Sequence, residues 1–129
     1  MTSSGFTLEP RDGYLYVQLA PGFEMDLEST SRVWVAICDA CRERGLRRAL
    51  VEGEGMTRRM APIEAFDVAD LAARLLPGLS VACIFRGYVP DSQSQIFRTA
   101  AMNRGVRMEF FQDLNSGLRW LGAGDRPPG

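Results

Sequence analysis

Between Phe6 and Ala20 the chain reads as a β-hairpin. Leu15, Val17 and Leu19 alternate with Tyr14, Tyr16 and Gln18, the period-two pattern of a half-buried strand, and Asp12-Gly13 is a strong tight-turn dipeptide. Pro21-Gly22 ends that pattern. A helical period replaces it: Val33, Trp34, Ile37, Cys38 and Cys41 form one stripe, Asp26 or Ser29 stands at the N-cap, and Gly45 follows the last turn. Arg48 to Glu52 is then a short strand whose centre, Ala49-Leu50-Val51, is apolar on both faces, as a central parallel strand requires.

Pro62 opens a second helix that stops before Pro77-Gly78, and Leu79 to Arg86 is a second buried strand. Ser92 with Gln95 gives a capping-box spacing ahead of a third helix, with Ile96, Phe97, Ala100 and Ala101 on its buried side. Val106 to Phe111 is the last strand, and Asp113 caps a final helix through Leu114, Leu118 and Leu121. A hairpin followed by alternating helices and strands predicts an α/β fold: a mixed sheet of about five strands, the later ones parallel, covered by about four helices. Residues 6–121 read as one domain, with 1–5 and 122–129 as flexible termini.

Composition narrows the chemistry. Of 129 residues none is histidine or lysine; all fifteen cations are arginine. Without histidine the chain has no side chain whose ordinary pKa lies near neutrality, and without lysine it has no Schiff-base former and no phosphate-loop cation. A binding or regulatory domain is therefore expected rather than an enzyme. The net charge of −1 argues against nucleic acid or an anionic membrane as partner. No apolar stretch approaches a membrane span, and the first residues lack a secretory signal. Three cysteines beside apolar neighbours read as reduced, buried thiols, so a cytoplasmic location is expected.

Cys38-Asp39-Ala40-Cys41 has redox-motif spacing, but both thiols lie two or more turns into a helix, beyond the reach of its N-terminal dipole. A zinc site would need four ligands, and only Cys83 remains; no metal and no cofactor are expected. The loop Gly53, Glu54, Gly55, Met56, Thr57, Arg58 follows a parallel strand, where α/β folds place ligands, yet it lacks the lysine of a phosphate loop. Glu52, Glu54, Glu64 and Asp67 read as a solvated acidic rim. Arg42, Arg44, Arg47 and Arg48 read as a helix end and its exposed turn.

The second helix is unusually apolar. Glu64, Asp67, Asp70 and Arg74 trace one narrow stripe, and the other positions are hydrophobic. One sheet cannot bury so wide an arc, so either a second internal surface closes over it or it is an exposed apolar patch. The external reading is preferred, and Phe66, Val68, Ala69, Leu71 and Ala73 are expected at a homodimer interface, with Glu64, Asp67 and Arg74 at its rim.

The final third, Phe97 to Gly105, then Phe110-Phe111-Gln112-Asp113 and Leu118-Arg119-Trp120-Leu121, resembles the closing signature of STAS-like domains, in particular the small stand-alone bacterial branch. The opening hairpin, the cysteine-bearing first helix and Ala49-Leu50-Val51 with its following loop and proline fit as well, so the resemblance runs from about Phe6 to Leu121. It implies a non-enzymatic domain with a mixed sheet. Relatives that antagonise anti-sigma factors are switched by a phosphorylated serine in the loop after the third strand; here residues 52–61 hold no serine, and Thr57 is the only hydroxyl. The expectation is an interaction domain that contacts an unknown protein partner through the 53–58 loop and the second helix, without that phospho-switch. The alternative is a carrier or sensor of a small hydrophobic or nucleotide ligand held between the second helix and the sheet. A cavity beneath Phe66 and Leu71 would favour the alternative.

Overall fold

A computed structural model describes residues 5–58, 61–88 and 91–122. The hairpin is present as β1 (Phe6–Arg11) and β2 (Tyr14–Leu19), turning at Gly13, whose φ of +87° only glycine adopts freely. β3 (Glu24–Met25) leads into α1 (Leu27–Arg44), where Asp26 caps by accepting from the Ser29 N–H at 2.7 Å. β4 (Arg48–Glu54), β5 (Thr57–Arg58), α2 (Pro62–Leu75), β6 (Ser80–Arg86), α3 (Ser92–Asn103), β7 (Arg107–Phe111) and α4 (Leu114–Leu121) follow. Residues 1–4 and 123–129, which the sequence assigns to flexible termini, lie outside the described residues.

The main sheet has the order β1-β2-β4-β6-β7, with β1 antiparallel to β2 and the other pairs parallel. This is the α/β mixed sheet that the sequence predicts. Register sorts its residues by face. Val17, Val51, Cys83 and Phe110 form one cross-strand row toward α1, α2 and α3; Tyr16, Leu50, Ala82 and Glu109 form a row toward α4. On the α4 side Gly117 allows close packing, since a Cβ there would collide with Ile84 Cδ1.

Three helices share the other face unequally. α1 and α3 approach the sheet directly. α2 rests on those two helices, and among the described residues none of its Cα atoms comes within 8 Å of a strand Cα. α2 therefore spans the central strands like a beam on two supports. Its small side chains Ala65, Ala69 and Ala72, with Val68, are buried by this arrangement.

Some local expectations change. The cap of α3 is Asp91, which accepts from the Ser94 N–H at 3.0 Å, so the Ser92–Gln95 spacing is not the capping pair. Ile96, expected inside, is exposed. The small β3–β5 sheet carries no periodic signal, because two residues cannot express one. No helix among the described residues is long and apolar enough to cross a membrane.

Candidate functional site

The gap that α2 leaves above the central strands is a cavity of about 90 Å³. Its floor is sheet residues, among them Val51, Val81, Cys83 and Phe85. α1 supplies Thr30, Val33, Trp34 and Ile37, α3 supplies Ser94 and Phe97, and α2 supplies only Ala65. Aromatic rings fix two walls: Trp34 meets Phe97 edge-on at 6.3 Å, and Phe85, Tyr88 and Phe110 pack mutually at 5.8 to 6.2 Å. Met25, Thr30, Tyr88 and Phe97 are partly exposed and mark the rim, at the end of the sheet where the parallel strands terminate. Unfilled apolar space of this size forgoes packing contacts, at a cost in stability. Protein interiors have few voids larger than a water molecule, and apolar ones stay dry or accept apolar guests.

Polar groups at the walls are few. The Tyr88 and Ser94 hydroxyls hydrogen-bond each other, and Ser94 also bonds the Asp91 carboxylate at 3.1 Å. The Thr30 hydroxyl is buried and has no hydrogen-bond partner among the described residues. Such a group costs about 1–3 kcal/mol unless something supplies a bond. Burial pushes the Cys83 thiol far above its ordinary pKa, so it is a packing group rather than a nucleophile at neutral pH.

The 53–58 segment, expected to be a loop after a strand ending at Glu52, is mostly strand, because Gly53 and Glu54 extend β4 and Thr57 and Arg58 form β5; it adjoins this cavity and is tied down. The Gly22 N–H donates to the Glu54 carbonyl and the Thr57 N–H to the Phe23 carbonyl, each at 3.1 Å, and β5 pairs with β3. Gly55 turns at φ +68°, and Met56 folds inward, buried over Gly53. Phe23 and Met25 also line the cavity. Outside, Glu54, Gly55, Met56, Arg86, Gly87 and Tyr88 border a cleft of about 250 Å³. Thr57 is exposed in β5, five residues before α2, and so is not at that helix's N-terminus.

The carboxylates do not form one acidic rim. Glu52, with its side chain 15% exposed, faces away from the cavity, accepts from the Tyr16 hydroxyl and pairs with Arg86. Arg11 stacks over the Tyr16 ring at 3.9 Å. Burial alone would raise Glu52, but the Tyr16 and Arg86 contacts outweigh it and hold the carboxyl below its usual range. Tyr16 is pushed up to about 12, by burial first and then by its bond to Glu52. Glu64 reaches back to the Ala61 N–H at 2.9 Å as an end group of α2. The arginine cluster is partly structural too: Arg42 donates to the Leu75 carbonyl, and Arg47 to the Pro77 carbonyl at 2.7 Å, closing the end of α2.

Val68 and Ala69, expected at an external interface, are fully buried within the chain; α1 and α3 absorb the arc that a sheet alone could not cover. Leu71 and Ala73 are half-buried. Phe66 is exposed, with the Arg104 guanidinium 5.9 Å from its ring centre. Phe66 and Leu71 do not line the cavity, which lies beside Ala65 instead. Cys38 and Cys41 are buried free thiols, raised by burial to about 11.

Sequence reasoning passed over Phe23, Met25, Thr30, Tyr88 and Ser94. None belongs to a motif; each matters because the tertiary packing brings it to one gap. Comparison with protein-family models and with curated proteins finds no match to this chain.

Proposed function

We propose that this chain is a non-enzymatic STAS-like regulatory domain that senses a small apolar ligand in the cavity under α2 and signals its occupancy to a protein partner through the 53–58 loop. The observation that carries this reading is the cavity itself: about 90 Å³ of apolar-walled space in a small core, retained at a cost in stability. No arginine lines it among the described residues, so a hydrocarbon body suits it better than a nucleotide. Coupling to the loop rests on β3, which belongs to the cavity wall and is paired to β5.

Thermal unfolding with benzene tests the ligand site. A guest that binds only the folded state raises stability with concentration. The wild type should be stabilised, and Ala65→Leu, which fills the gap, should lose that response while remaining folded. Absence of any benzene effect on the wild type overturns the reading.

A second reading has separate support. Phe66 and Ile96 share a groove between α2 and α3, and Ile63 and Met102 are exposed on the same helices. We propose this outer face, rather than Val68 and Ala69, as the homodimer contact. Sedimentation tests it, and a monomer at high micromolar concentration removes it.

A further inference from the structure

We infer that Thr30 selects the ligand: the cavity takes a compact neutral molecule with an apolar body and one hydrogen-bonding oxygen, of the phenol or short-alcohol class. This rests on the reading of the cavity as a ligand site and adds the chemistry of what it holds.

Thr30 is the fourth residue of α1. A helical threonine commonly turns its hydroxyl back to the carbonyl four residues earlier. Here that carbonyl, of Asp26, accepts the Thr30 backbone N–H at 3.0 Å, and the Thr30 hydroxyl makes no bond among the described residues although it is buried. Buried polar groups are nearly always partnered, so an orphan on the wall of a cavity marks where a guest's polar atom would be received. The other wall hydroxyls, Tyr88 and Ser94, already bond each other. No charged side chain lines the cavity among the described residues. An ionised ligand would therefore lose its hydration without gaining a counter-charge, which restricts the guest to neutral molecules.

The experiment is an NMR titration of the intact chain with benzene and, separately, with phenol, on the wild type, Thr30→Val and Thr30→Ser. Valine keeps the shape and removes the hydroxyl; serine keeps the hydroxyl. Thr30→Val should bind benzene as the wild type does and phenol about fivefold more weakly, the loss of one neutral hydrogen bond. Thr30→Ser should retain the preference for phenol. Equal phenol binding by wild type and Thr30→Val overturns the role of Thr30 and leaves the cavity reading standing. Parallel loss of benzene and phenol in Thr30→Val also overturns it, because the residue would then act by shape. If neither probe binds the wild type, the cavity reading falls and this inference falls with it. Thr30→Val should fold with unchanged or higher stability, since it removes an unpartnered buried hydroxyl.

Discussion

The Thr57 N–H donates to the Phe23 carbonyl at 3.1 Å, and Phe23 lines the cavity. The loop that sequence singles out and the void that packing creates therefore share one backbone segment. A guest that shifts Phe23 or Met25 moves the acceptor to which Thr57 is bound.

That relationship is tested by Gly53→Ala. A Cβ at Gly53 would lie 2.5 Å from the Met56 sulfur and 3.2 Å from Leu19 Cδ1, so Met56 must shift. Because the thioether end is flexible, the cost should be about 1 kcal/mol in urea unfolding, at the low end for overpacking. The Thr57 amide should exchange faster with solvent. An unchanged Thr57 exchange rate separates the loop from the cavity wall.

Val68→Glu should unfold the chain or destabilise it by several kcal/mol, because a carboxylate would replace a side chain with 0% exposure. Ile63→Glu, at a position 68% exposed, should fold normally and, if the α2–α3 face is the homodimer contact, shift sedimentation to the monomer. Circular dichroism distinguishes the two positions.

The Tyr16–Glu52–Arg86 chain predicts a pH window. Tyr16 titrates higher when folded than unfolded, so its contribution is complete below about pH 10 and is lost as pH rises toward about 12. Glu52 is held low when folded, so its contribution is present above the ordinary carboxylate range and is lost as pH falls through it. Tyr16→Phe should flatten the alkaline loss in urea titrations and remove the Tyr16 contribution, near pH 12, from ultraviolet difference spectra.

Cys38, Cys41 and Cys83 should resist a disulfide reagent at pH 8 in the native state and react together on unfolding, because burial withholds the thiolate from all three. A thiol that reacts quickly in the folded chain would contradict their burial.

The backbone plan was legible where side chains repeat. Ala49-Leu50-Val51 declares a two-sided buried strand, Asp12-Gly13 declares a turn, and Asp113 declares a cap; all three stand where expected. The site was not legible to the same degree. The apolar arc of α2 was real, but its cover comes from α1 and α3, and helix-to-helix support has no local signature at Val68 or Ala69. Two-residue strands such as Thr57–Arg58 are too short to show a period. Thr30 looks like any threonine in an early helical turn, and only the distance between α2 and the sheet makes its hydroxyl conspicuous.

The raised seat of α2 also has a volumetric consequence. Unfolding abolishes internal voids, and the contraction that makes a folded state yield to hydrostatic pressure scales with them, so the space of about 90 Å³ under α2 adds to it. The chain should therefore be pressure-sensitive for its size, and occupation of the void should stiffen it against compression. Squeezing the empty and the filled protein would reveal, without any label, whether something habitually lives under that helix.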